Sequence, residues 1–231
     1  MATQLDLREQ EQLDDIKAFW SKWGNLITWT LTLVLAGFAA YNGWQWWQRG
    51  QGEKASGMYD ELDRAAQAGD ADRTARMFGD LKERHPKSLL AAQGALLAAK
   101  VQADKGKIDE ALVSLAWAAD NAAEAELRVV ARLRAAALHI DKKELDKAMA
   151  QLDAAAKSDV REFDALIADR RGDVLQAQGK KPEAVAAYQS AYKALGDKQE
   201  YRRLIEGKLM ALGSAPPADA VTAAASGAAK R

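Results

Sequence analysis

From Trp23 to Gln48 the chain carries no charged side chain. Few folds accept such a stretch. Its centre, residues 26–47, reads LITWTLTLVLAGFAAYNGWQWW. As a helix it spans roughly 33 Å at about 1.5 Å per residue, enough for a bilayer core of about 30 Å. Lipid offers no partner to a free N–H or C=O, so a helix is the expected form. Trp20, Trp23 and Trp29 sit near one end, and Tyr41, Trp44, Trp46 and Trp47 near the other. Indole rings prefer the headgroup level and pin both ends of a span. One rival reading is a buried helix of a soluble domain, but a soluble core seldom needs tryptophan at both ends and no charge between. The other is a cleaved signal peptide, whose apolar region runs about 7–15 residues to a small-x-small site. Gly37-Phe38-Ala39 offers such a site. However, Asp6, Glu9, Glu11, Asp14 and Asp15 precede the span, and apolar sequence continues to Trp47. The expectation is an uncleaved transmembrane helix over residues 23–48, anchored in the lipid bilayer.

Residues 1–22 form a short, mostly polar segment. In it Leu13, Ile16, Phe19 and Trp20 recur at helical spacing with Trp23, as in a surface-lying lead-in. Arg8, Lys17 and Lys22 precede the span and Arg49, Lys54 and Arg64 follow it, so the positive-inside count is tied. A short tail before one anchor makes a cytoplasmic N-terminus the commoner arrangement. The 33 basic and 33 acidic side chains cancel, which denies nucleic acid the basic footprint that it requires. The chain has no cysteine. That excludes disulfides, thiol chemistry, cysteine zinc sites and a lipid-attachment cysteine, and it fixes no compartment.

After the anchor, residues 49–212 read as helical throughout. Alanine, leucine, lysine, glutamate and glutamine dominate, and no alternating strand pattern appears. A repeat organises this part. The runs Gly69–Thr74, Gly106–Ala111 and Gly179–Ala184 are alike, and a further copy, Lys143–Ala148, lacks the glycine. Their last residues, Thr74, Ala111, Ala148 and Ala184, are 37, 37 and 36 apart. Four residues on come Phe78, Leu115, Leu152 and Tyr188, always large. Three further come Leu81, Ala118, Ala155 and Ala191. Offsets of 0, 4 and 7 mark one face of a helix, so each copy is helix, tight turn, helix. Residues 200–212 add an amphipathic capping helix with Tyr201, Leu204, Ile205, Leu209 and Leu212 as its apolar side. Residues 213–231, rich in Ala, Pro, Ser and Gly, are expected to form a disordered tail.

Catalytic chemistry finds no support. His85 and His139 have no ligand-spaced partner in the sequence, and no P-loop, nucleotide-binding glycine fingerprint, nucleophile elbow or HExxH occurs. The carboxylates, such as Asp109-Glu110 and Glu144/Asp146, read as solvated helix faces. The expectation is a non-enzyme without cofactor or metal, acting through its surface.

The repeats resemble the tetratricopeptide (TPR) pattern. In the final copy Gly172, Gly179, Ala184, Tyr188 and Ala191 fall at the small, turn, small, aromatic and small positions, and Pro86 falls at the terminal proline of the first. The departures are a period two or three residues over 34, a lost early tryptophan and the glycine-free third turn; a generic helical array stays open. The resemblance implies an all-α fold: one N-terminal transmembrane helix, a TPR-like solenoid of about four hairpins, and a cap. It also implies that the first helix of each hairpin lines an inner groove for a partner. Carried over, that lining is Ser56, Tyr59, Asp63; Gln93, Leu96, Lys100; Val130, Leu133, Ala137; and Leu166, Asp169, Asp173. The alternative for Leu96, Leu133 and Leu166 is packing between repeats.

The whole arrangement, from the acidic lead-in with FWSKWGN at residues 19–25 through the anchor to the repeats and tail, resembles the YfgM family, ancillary subunits of the bacterial SecYEG translocon. That resemblance implies an inner-membrane protein with its N-terminus in the cytoplasm and its repeats in the periplasm. Its implied partners are SecYEG, the membrane-anchored periplasmic chaperone PpiD and exported clients. A membrane-tethered TPR scaffold for envelope assembly or cell division and a cytoplasm-facing assembly factor are the alternatives.

Overall fold

In a computed structural model, the backbone of residues 7–196 and 199–215 is described, with the side chains of residues 17–43, 54–196 and 200–215. The described residues are helical, with no strand among them. Nine α-helices follow in order: α1 (Leu7–Gln67), α2 (Ala71–Arg84), α3 (Leu89–Asp104), α4 (Ile108–Asn121), α5 (Ala125–Asp141), α6 (Leu145–Ala156), α7 (Asp164–Ala177), α8 (Lys181–Ala194) and α9 (Gln199–Ala211). A single 3-10 turn, Arg161–Phe163, precedes α7. The chain divides into two compact units, Met1–Glu53 and Lys54–Arg231. The boundary falls inside α1.

In the first unit, Lys17–Gly43 is long and apolar enough to cross a membrane. Its side chains are exposed on all sides, Trp20, Trp23, Trp29, Leu33, Val34 and Phe38 among them, which suits lipid and not a soluble core. Four polar side chains within it bond to the helix's own backbone. The Thr28, Thr30 and Thr32 hydroxyls donate to the carbonyls of Gly24, Leu26 and Thr28 at 2.7, 2.8 and 2.7 Å. Asn42 Nδ2 donates to Phe38 O at 2.9 Å. This back-bonding gives these four side chains a partner within the helix. The Trp20 ring covers Gly24. Trp44, Trp46 and Trp47 lie outside the described side chains, as do Leu13 and Ile16 of the lead-in, and residues 216–231 of the tail lie outside the described residues.

The second unit is four helical hairpins and a cap, as the sequence predicts. Ala55 and Leu62 of the Lys54–Gln67 part of α1 share a core cluster with Phe78 and Leu81 of α2; α3 pairs with α4, α5 with α6, and α7 with α8, while α9 closes on α8. First helices of adjacent hairpins also meet, α3 with α5 and α5 with α7. Thr74, Ala111, Ala148 and Ala184 are buried at their hairpin contacts, and so are Phe78, Leu115, Leu152 and Tyr188 four residues later. Fit is tightest at the last hairpin, where a Cβ on Gly172 would come 2.4 Å from Tyr188 Cε1. The ring occupies the space that a side chain would need. At the equivalent place one hairpin earlier, Ala136 faces a smaller Leu152, both in one core cluster. Pro86 is exposed in the turn between α2 and α3, and Pro182 sits in the first turn of α8, where its missing N–H costs nothing.

All four intra-hairpin turns share one backbone geometry. At the first, Gly69 N donates to Ala66 O and Asp70 N to Ala65 O; the same pair recurs at Gly106/Lys107, Lys143/Glu144 and Gly179/Lys180. This is the Schellman arrangement, which needs a left-handed residue at the helix end. Three turns supply glycine. The third supplies Lys143, held at φ 60°, so the missing glycine changes the residue and not the turn.

That third turn has support that the other three lack. His139, buried in α5, lies with Nδ1 2.7 Å from Glu144 Oε2. His139 has no ligand-spaced partner in the sequence, yet the Schellman turn folds Glu144 back onto the helix end and gives it a structural one. Lys142 and Lys147 also approach Glu144, at 3.6 and 3.3 Å. The hydrogen bond with His139, ahead of the lysines, holds the Glu144 carboxyl below the usual carboxylate range. Asp109 sits on an exposed helix face, as its sequence reading has it, and Lys142 pairs with it across the repeat. Lys107 pairs with Asp72 one hairpin earlier and holds that carboxyl low in the same way.

Candidate partner-binding surface

The inner-lining residues separate into three groups. Tyr59 and Asp63 on α1, Gln93 on α3, Val130 and Ala137 on α5 and Leu166 on α7 are half-buried, with Ser56 and Lys100 exposed. Burial, with the Asp63 charge second, pushes the Tyr59 phenol above its ordinary pKa. Leu96 and Leu133 are buried in core clusters, so the packing alternative describes them better. Asp169 and Asp173 form the third group.

Between α3 and α5 the first-helix layer opens into a cleft of about 340 Å³. Its floor is Ala99, Ala103, Leu115, Ala137 and Leu138, and its rim is Lys100, Asp104 and Arg134. Small side chains create the space, since alanine occupies most of the floor. Lys100 Nζ lies 2.7 Å from Asp104 Oδ2 on an exposed i, i+4 pair, of little energetic weight. Arg134 donates to Leu96 O at 3.3 Å across the repeat. An apolar trough with a few charges on its edge can take an extended or helical segment of a partner. Arg134 and Asp104 were missed from the sequence, although Asp104 stands one turn beyond Lys100 and Arg134 one turn before Leu138.

The fourth hairpin differs. Asp169 is 1% exposed and does not line an open groove, which corrects the sequence reading. Lys208 of α9 sits 2.6 Å from Asp169 Oδ1 and 2.6 Å from Asp173 Oδ1. Tyr201 Oη donates to Asp169 Oδ2 at 2.7 Å, and Tyr188 Oη to Asp173 Oδ1 at 2.8 Å. Arg170 Nη1 donates to Asp173 Oδ2 at 3.1 Å. Burial first, then these carboxylates, drive both phenols far above the ordinary tyrosine pKa. The capping helix thus covers the carboxylates. Its buried side is Ile205 and Leu209 with Tyr201 and Lys208 beside them, while Leu204, assigned to that side from the sequence, is 51% exposed.

The tetratricopeptide repeat-like domain family matches residues 17–214, from the membrane-length helix through the cap. The chain belongs to that family. It is also 29% identical over 208 residues to a protein of Neisseria gonorrhoeae (strain ATCC 700825 / FA 1090) named ancillary SecYEG translocon subunit, covering 89% of this chain and 98% of the relative. The two findings together support the YfgM-family resemblance. In this tetratricopeptide repeat-like protein the family's positions are buried at all four hairpins, and the layer of first helices leaves room for a ligand between α3 and α5.

Proposed function

We propose that the protein is a membrane-anchored adaptor associated with the SecYEG translocon, with its N-terminus cytoplasmic and its repeats periplasmic. In this reading the α3–α5 cleft receives a segment of a periplasmic chaperone such as PpiD, or of an exported client, and the chain itself does no chemistry. The observation that carries it is the pairing of one membrane-length helix with an apolar, charge-rimmed cleft in the repeat unit. The likeness to a relative named as a translocon subunit supplies the assembly. Confinement to one membrane raises effective concentration, so the anchor's contact and the cleft's contact can each be weak.

Photocrosslinking in cells tests it. A photoreactive residue at Lys100 or Ala137 should capture a periplasmic chaperone or a client, and one at Trp44 a translocon subunit. Protease treatment of spheroplasts should digest the repeats. Capture of division or cytoplasmic proteins instead, or repeats shielded in spheroplasts, overturns the assignment.

A further inference from the structure

Arg134, on the rim of the α3–α5 cleft, is a cation without an anion. Its Nη1 donates to Leu96 O at 3.3 Å, and it meets no carboxylate among the described residues. One turn away along α5, in either direction, stand Val130, Ala131, Ala137 and Leu138, none of them charged. Nearby arginines are placed differently: Arg132 faces Asp120, Arg170 faces Asp173 and Arg171 faces Asp153. The other rim charges are settled too, because Lys100 and Asp104 pair at 2.7 Å. The cleft thus presents one uncompensated positive charge beside a floor of alanine and leucine.

Charge and size together limit what can fill it. A guanidinium carries five N–H donors in a rigid fork, and the bond to Leu96 uses one. That fork matches a carboxylate, which accepts two parallel bonds from it. A cationic segment would instead meet repulsion. The bond to Leu96 ties the arginine of α5 to α3, so less side-chain freedom is lost when a ligand arrives. The volume of about 340 Å³ lies at the low end of the usual range for ligand sites, about 300–1,000 Å³. It suits a few side chains of a partner and not a whole domain. The apolar floor gains from burying leucine-like side chains.

We infer that the α3–α5 cleft selects partner segments in which a glutamate or aspartate stands beside leucine-like side chains, with Arg134 meeting the carboxylate. This rests on the reading of that cleft as the partner site and adds the chemistry of the segment that it takes.

The test uses the full chain in nanodiscs of uncharged phosphatidylcholine. Short fluorescent peptides, blocked at both ends, differ only at the centre, which reads Leu-Glu-Leu, Leu-Gln-Leu or Leu-Lys-Leu. Anisotropy should rank glutamate above glutamine by about two- to fivefold, the worth of one exposed ion pair, with lysine weakest. Added salt should narrow the gap. Arg134→Gln, at an exposed position, should erase the ranking while the glutamine peptide still binds. Arg203→Gln removes the same charge from α9 and should leave the ranking intact. Ala103→Trp, filling the cleft, should block all three peptides. Equal binding of the glutamate and glutamine peptides, a ranking that survives Arg134→Gln, or one that is lost in Arg203→Gln overturns the inference and leaves the cleft a partner site. Self-association in sedimentation that Arg134→Gln abolishes puts a second copy there and overturns it too. If no peptide binds, or binding survives Ala103→Trp, the reading of the cleft as the partner site falls, and the inference with it.

Discussion

The α3–α5 and α7–α9 junctions use the same register positions and end in opposite states. On α3 these positions are Leu96 and Lys100, and on α7 they are Asp169 and Asp173. At the first junction the next helix leaves a cleft of about 340 Å³. At the second it closes completely over Asp169. The difference is one of obligation. Alanine and leucine gain from burial but demand no particular neighbour, so a gap between α3 and α5 is tolerable. A buried carboxylate must be met by donors, and only one helix in the chain brings Lys208 and Tyr201 to it. A repeat position is therefore open to a ligand or closed to it according to whether its residue requires a resident partner.

Lys208→Met should break this contrast most strongly. It strips the buried Asp169 of its cation and should cost about 3–5 kcal/mol in thermal or denaturant unfolding of the full chain. Adding Asp169→Leu should recover most of the loss, since an apolar pair asks for nothing. A loss no greater than that of an exposed lysine would show that the junction is not sealed by charge.

Overpacking sharpens the comparison. Gly172→Ala must displace the Tyr188 ring and should cost about 1–3 kcal/mol, whereas Ala103→Leu, facing the open cleft, should change stability by less than about 0.5 kcal/mol. Similar losses at both would mean that the cleft is not open. Next, Lys143→Gly should stabilise the protein by about 0.5–1 kcal/mol by relieving the left-handed strain, and Gly106→Ala should destabilise it by a similar amount. An unchanged melting temperature for Lys143→Gly would mean that His139 and Glu144 already offset the strain.

The smallest effect is confined to alkaline pH. Tyr201 has a raised pKa in the folded state, so its contribution is complete below the unfolded tyrosine value near about 10 and is lost as pH rises from there toward the folded value. Tyr201→Phe should make the alkaline limb of the stability profile shallower, with the α3–α5 side unaffected. An alkaline limb identical to wild type removes Tyr201 from the account.

Much of this architecture was legible in the sequence because it rests on local rules. The charge-free span, the 36–37-residue period and the small–large–apolar series each need only near neighbours to be read. What escaped depends on pairs far apart in sequence or on a backbone state. Asp169 looked like lining because its cation lies 39 residues away on α9. Leu204 looked buried because an apolar residue next to Ile205 fits a helix face by type, yet the face turns toward Tyr201 and Lys208. Lys143 gave no sign of a left-handed φ, since lysine rarely takes one. His139 and Glu144 are only five residues apart, but they face each other solely because that turn closes.

The four matching turns carry a consequence for how the chain becomes ordered in time. Each closes through hydrogen bonds between residues three and five apart, and among the described residues each hairpin packs on its neighbours along the chain. Contacts of such short reach lower the entropic barrier to folding and favour fast, stepwise ordering. A chain emerging N-terminus first can thus fold one hairpin at a time, each new one settling on a surface already in place. The contacts of Tyr201 and Lys208 with the fourth hairpin wait for the end and complete last, when α9 arrives.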